Sequence, residues 1–145
     1  MRPRILAGLA LALVALPCLD AAVAAQSAYK VIVNPANAAA SLSKTELARM
    51  FMKKVTAWPD GRAVAVVDQE RNSPARQAFS TDVHQKDADA VAAHWQVVVF
   101  SGRDVPPKIL RSDQEVIAFV RSNPGAIGYV SAGAPLDGVR ALPVR

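Results

Sequence analysis

Hydrophobic residues recur along the chain with two different spacings, and together these predict alternating strands and helices. Near-continuous apolar runs bounded by turn residues predict strands over 29–33, 63–67, 126–130 and 139–142. Apolar residues three or four positions apart predict helices that begin after Ser43, Ser73 and Ser112, and a longer one from about Asp87 to Val99. The alternation predicts an α/β fold with one sheet flanked by helices.

Three predicted helices carry start signals in the sequence. Ser43 with Glu46, and Ser112 with Glu115, have the three-residue spacing of a capping box. Ser73-Pro74 places a capping serine before a proline that suits the first helical position. These signals fix where each helix is expected to begin.

The first 25 residues have a different pattern from the rest. A basic start is followed by an apolar run over 5–16 and by small residues over 21–25. This order is typical of a secretory signal peptide, and the run is shorter than the ~20 residues that an anchor needs. We therefore expect a cleavable signal peptide at 1–25, a mature domain at 26–145, a periplasmic location and no stable membrane anchor.

Composition narrows the partners of the mature domain. The sole cysteine, Cys18, lies in the predicted signal peptide, and Pro17 before it is unlike a lipoprotein site. The formal net charge of +5 falls to +4 without residues 1–25, which is a mild bias towards anions. Because no basic run exceeds Lys53-Lys54, we expect no nucleic acid partner. A basic loop over 103–111 is interpreted as solvated surface.

No set of residues for catalysis, metal binding or cofactor binding emerges from the sequence. The two histidines, His84 and His94, are ten residues apart, which is not a metal-ligand spacing. The chain contains neither a Gly-x-Ser-x-Gly elbow nor a glycine-rich phosphate loop. We expect a protein that is not an enzyme and needs no metal or cofactor.

One loop has the features of an oxyanion site. Residues 68–72 connect a predicted strand to the helix that begins after Ser73, and a helix start offers free N–H groups to an anion. The Ser73 hydroxyl can donate a hydrogen bond, and Arg71 or Arg76 can neutralise charge. The candidate ligand-binding residues are Gln69, Arg71, Asn72, Ser73 and Arg76. The alternative is that Ser73 only caps its helix and both arginines are solvated.

The order of segments resembles the substrate-binding proteins of phosphate ABC transporters, in the type II periplasmic binding protein superfamily. The resemblance covers most of residues 29–131, and its most specific stretch is the Asn-Pro-Gly-Ala-Ile-Gly-Tyr-Val run at 123–130. The other matching stretches are Asn34-Pro35, the segment from Leu42 to Trp58, and Val66-Val67 leading to Ser73, Arg76 and Phe79.

This resemblance implies the fold of one lobe, phosphate or a related oxyanion as ligand, and an ABC permease or a sensor component as partner. Family members have two lobes, and nothing before Tyr29 matches the opening of the first lobe. The ligand loop also departs from the family pattern Arg-x-x-x-Ser-Gly-Thr, because Gln69, Pro74 and Ala75 replace its Arg, Gly and Thr. Proline removes an N–H and alanine a hydroxyl. The alternative function is a protein–protein interaction module or homodimer that uses the face a second lobe would cover.

Overall fold

A single mixed sheet organises the chain in this computed structural model, which describes residues 27–145. The strand order is β3-β2-β4-β1-β5. The strands are β1 (Tyr29–Val33), β2 (Ala65–Gln69), β3 (Lys108–Leu110), β4 (Ala126–Ser131) and β5 (Arg140–Ala141). The helices are α1 (Lys44–Phe51), α2 (Pro74–Phe79), α3 (Ala88–Phe100) and α4 (Asp113–Ser122), and a π-helical turn (Ser80–His84) continues α2. The predicted α/β class is confirmed, while the predicted signal peptide and Cys18 lie outside the described residues.

Two strands differ from the sequence expectations. β2 begins and ends two residues later than predicted, so Asp68 and Gln69 are buried strand residues and not part of a loop. The basic loop expected over 103–111 contains the short edge strand β3, which pairs in parallel with β2. Both differences have the same cause, because pairing with a neighbouring strand extends β2 beyond its apolar run.

The sheet is covered on both faces. Side chains alternate along β1, so Val31 and Val33 pack with α1, α2 and the π-helical turn, whereas Ile32 packs with α4. β1 lies antiparallel to β4, with Tyr29 opposite Ser131. β2 runs parallel to both β3 and β4. The parallel strands therefore bring the carboxyl ends of β2 and β4 to one edge of the sheet.

The helix starts follow the capping signals with one change. Ser43 and Glu46 form the predicted box, since the Glu46 carboxylate accepts the Ser43 N–H at 2.8 Å. At α4, the Ser112 hydroxyl accepts the Glu115 N–H at 3.2 Å, but the Glu115 carboxylate accepts the Arg111 N–H and not that of Ser112. The prediction of a second reciprocal capping box was therefore wrong, because the extended backbone at Ser112 brings the Arg111 N–H within reach of the Glu115 carboxylate.

Two glycines allow close packing in the segment at 123–130. A Cβ on Gly128 would lie 2.8 Å from Val116 and from Val67, and one on Gly125 would overlap the Ala63 carbonyl oxygen. The indole N–H of buried Trp58 donates to the Gly125 carbonyl at 2.9 Å. Both positions therefore exclude a side chain for steric reasons. Between residues 27 and 145, none of the helices combines the length and apolar composition that crossing a bilayer requires.

Candidate functional site

The candidate site lies where the carboxyl ends of β2 and β4 meet. The chain leaves β2 towards β3 and leaves β4 towards β5, on opposite sides, so the two strands flank a topological switch point. In open α/β sheets, ligands bind in the crevice at this position. The turn from Glu70 to Ser73, closed by a 3.0 Å hydrogen bond from the Ser73 N–H to the Glu70 carbonyl, borders the crevice.

A buried ion pair forms the floor of the site. Asp68, at the end of β2, pairs with Arg76 of α2, and both side chains are about 95% buried. The Tyr129 hydroxyl of β4 donates to the same carboxylate, and the Gln69 N–H donates to it at 2.9 Å. Burial raises the pKa of Asp68, while the Arg76 guanidinium and these donors oppose that shift. The pair therefore needs all of its hydrogen bonds to remain in the interior.

The rest of the Arg76 guanidinium is also directed inward. Its Nε donates to the Ser80 hydroxyl at 3.1 Å, and Nη1 donates to the Gln69 carbonyl at 3.2 Å. The Tyr129 ring stacks on the Phe79 ring with a centroid distance of 4.0 Å, and burial raises the pKa of the Tyr129 hydroxyl. Arg76 is therefore held as part of the core.

The Gln69 side chain occupies the crevice between the two strands. Its Nε2 donates to the Tyr129 carbonyl at 3.0 Å and to Asp113 at 2.9 Å, at the start of α4. Its Oε1 accepts the Ser73 hydroxyl at 2.7 Å. The same Ser73 oxygen accepts the Arg76 N–H and caps α2. Gln69 thus ties β2, β4, α2 and α4 together at the sheet edge.

Two of the five predicted ligand residues face solvent. Arg71 pairs with Asp89 of α3 at 3.3 Å, and both side chains are more than half exposed. Asn72 is exposed at the tip of the turn. Three of the predicted residues, Gln69, Ser73 and Arg76, come together with their hydrogen bonds directed into the protein. The five predicted residues therefore fall into two groups. Gln69, Ser73 and Arg76 form an inner group that holds the turn, and Arg71 and Asn72 form an outer pair that solvent can reach.

An open groove of about 540 Å³ borders this edge of the sheet. Asp68, Gln69, Glu70, Arg71 and Arg76 line one side of it. The opposite walls are mainly apolar and come from α3, β3 and the loop between them: Trp95, Val99, Phe100, Pro106, Pro107 and Ile109. A ligand in the groove would meet both the Arg71 side chain and an apolar surface.

Sequence reasoning missed Asp68, Tyr129 and the groove. The available signal for Asp68 was a carboxylate directly after an apolar run, which can end a strand as well as begin a loop. Tyr129 is 61 residues away from Asp68, so no local pattern connects them. Among residues 27–145, no group of three His, Cys, Asp or Glu side chains could hold a metal ion.

Residues 23–141 match a family model described as a PBP superfamily domain. The chain belongs to the PBP superfamily. This agrees with the family resemblance found in the sequence. A search of curated proteins finds no match.

Solved structures of phosphate receptors share the fold. An ABC-type phosphate transport receptor from Vibrio cholerae aligns with a TM-score of 0.63 and 21% identity, over 81% of this chain and 46% of the receptor. A phosphate ABC transporter substrate-binding protein with bound phosphate, from Clostridium perfringens, aligns with a TM-score of 0.64 and 23% identity, over 81% and 44%. PstS from Borrelia burgdorferi aligns with a TM-score of 0.57 and 14% identity, over 81% and 47%. The chain therefore spans less than half the length of these structures, and the alignments establish a fold like that of one lobe.

Proposed function

We propose that this protein is a periplasmic, non-catalytic solute-binding protein that binds phosphate or a related oxyanion and works with a phosphate ABC permease. Its membership of the PBP superfamily and its likeness to phosphate receptors support the ligand class. The observation that carries the proposal is the position of Arg71, an exposed cation on the turn at the sheet edge where doubly wound folds bind ligands.

Arg71 and Asn72 are the proposed anion contacts. The Arg71–Asp89 ion pair is exposed, and exposed pairs contribute about 0–1 kcal/mol, so the guanidinium can exchange Asp89 for a phosphate oxygen at little cost. The backbone N–H groups of Arg71 and Asn72 meet no backbone acceptor in the turn. They are therefore available to an anion together with the guanidinium.

Gln69, Ser73 and Arg76 act in this proposal by holding the turn. Their polar atoms already have partners inside the protein, so they fix the direction in which Arg71 and Asn72 project. Pro74, which stands where the family loop has glycine, offers no N–H to the ligand. With fewer donors than the family loop, we expect phosphate binding to be weak.

Calorimetry with inorganic phosphate at low ionic strength tests this function. We expect saturable binding that weakens roughly tenfold in Arg71→Gln, because a charge-assisted hydrogen bond is lost. Arg62→Gln is the matched control, since Arg62 is another exposed arginine with a weak carboxylate partner, Asp60 at 3.8 Å. Arg62 lies beside Pro124, away from the turn. Absence of saturable binding, or an equal loss in both variants, would overturn the proposal.

A second candidate function is self-association through the apolar side of the groove. Phe100 is 90% exposed, Ile109 49% and Val99 45%, and all three large apolar side chains line the groove. Among residues 27–145, Ile109 belongs to the edge strand β3, whose outer edge has no strand paired to it and can accept a strand of a second copy. Sedimentation velocity of the wild type and of Phe100→Glu tests this candidate. A concentration-dependent dimer that Phe100→Glu dissociates supports it, and a wild-type monomer at high concentration rules it out.

A further inference from the structure

A small basic pocket lies on the outside of the helical layer. It has a volume of about 180 Å³ and is lined by residues from three elements: α1 and the turn after it, the π-helical turn with its following residues, and α3. Its polar lining consists of Arg49, Lys54, His84, Lys86 and His94. None of these residues lines the groove at the end of β2. The pocket is therefore a separate concave site.

The cations that line this pocket form no ion pair within the described part of the chain. No carboxylate lines the pocket, and the ion pairs found among residues 27–145 involve other cations. Glu46 lies one turn before Arg49, but its carboxylate accepts the Ser43 N–H and hydroxyl at 2.8 and 2.7 Å. The Asp87 carboxylate caps α3 by accepting the Ala90 N–H at 2.7 Å. Both carboxylates are held at helix starts and neither lines the pocket, although Glu46 and Arg49 still attract each other.

Helix stabilisation explains only part of this arrangement. Arg49 is in the last turn of α1, where a cation complements the helix dipole. That effect does not account for Lys86, which follows the π-helical turn and lines the same pocket. Like charges at close range repel, so a pocket that gathers them is favourable when an anion shares the space.

The His84 ring forms one wall of the pocket, and its pKa depends on the charges near it. Its ring packs against Phe79 and Phe51, with centroid distances of 5.6 and 6.4 Å. Burial and, to a smaller extent, the nearby Arg76 and Lys86 cations together lower the pKa of His84 to about 4. The imidazole is therefore neutral at pH 7 and can act as a hydrogen-bond donor whose environment responds to an added anion.

We propose that this pocket binds a small divalent oxyanion of the phosphate class, held by Arg49 and Lys86 and contacted by the two histidine rings. A water molecule occupies about 30 Å³ in the liquid, so the pocket has room for roughly six waters or for one tetrahedral oxyanion with part of its hydration shell. The site is independent of the proposed contact at Arg71, because it uses different residues on different elements.

Histidine-ring NMR during titration with inorganic phosphate tests the proposal, with chloride at matched ionic strength as the reference. We expect saturable shifts of the His84 and His94 ring signals with phosphate and not with chloride. The pH at which His84 titrates should also rise. The double variant Arg49→Gln/Lys86→Gln should weaken this binding roughly tenfold, since it removes two charged contacts.

Two further variants separate this site from the β2 edge and from general charge. Arg62→Gln/Lys108→Gln removes the same charge elsewhere and should leave the ring shifts unchanged. Arg71→Gln should also leave them unchanged, whatever its effect on binding at the turn. The proposal is overturned if phosphate moves the ring signals no more than chloride does, or if Arg62→Gln/Lys108→Gln weakens the response as much as Arg49→Gln/Lys86→Gln.

Discussion

The Arg76→Met variant tests whether the ion pair beneath the site belongs to the core. Methionine keeps the apolar contacts of the arginine stem but leaves the Asp68 carboxylate buried without its cation. Breaking one partner of a buried pair costs about 3–5 kcal/mol. For roughly 120 folded residues, unfolding entropy converts this to a fall in Tm of about 12–20 °C.

Urea unfolding followed by the fluorescence of Trp58 and Trp95 gives the free energy of unfolding directly. The double variant Asp68→Asn/Arg76→Met is the control, because asparagine can keep the hydrogen bonds from Tyr129 and Gln69 without a charge. It should recover at least half of the loss. Two results would refute a core role for the ion pair: a free energy of unfolding of Arg76→Met within 1 kcal/mol of the wild-type value, or a double variant as unstable as Arg76→Met.

Three other predictions concern stability. Because the pKa of His84 is lowered to about 4, neutral His84 stabilises the fold above pH ~6.5, and this stability is lost as pH falls towards 4. Between about pH 7 and pH 5, the free energy of unfolding measured in urea should therefore fall by roughly 1–2 kcal/mol more in the wild type than in His84→Gln. Gly128→Ala should lower stability by about 1–3 kcal/mol in thermal unfolding, because its Cβ meets Val116, whereas Gly133→Ala has open space and should stay close to the wild type. Ser43→Ala should cost about 1 kcal/mol in urea unfolding, and a change below a few tenths would mean that the capping box contributes nothing.

Local patterns predicted most of the fold because they act over a few residues. The strand at 29–33 and the capping box at Ser43 depend on neighbours in sequence, and both were confirmed. β3 was missed because three residues after Pro106-Pro107 carry no period of their own and become a strand only by pairing with β2. The bounds of β2 were predicted two residues too early for the same reason.

The candidate site was predictable only in position. A strand, a turn and a capping serine located the segment around Ser73 from its sequence. The direction of each side chain could not be predicted, because the partners of Gln69 and Arg76 come from β2, β4, α4 and the π-helical turn. The same residue types could have formed a cluster open to solvent, and tertiary packing turned three of them inward.

Backbone amide NMR of the protein titrated with inorganic phosphate tests the central claim most directly. We expect saturable shifts at the amides of Arg71 and Asn72 that Arg71→Gln weakens and Arg62→Gln leaves intact. Amides that stay unmoved at millimolar phosphate and low salt, in a protein that remains folded, would contradict oxyanion binding at the carboxyl edge of β2.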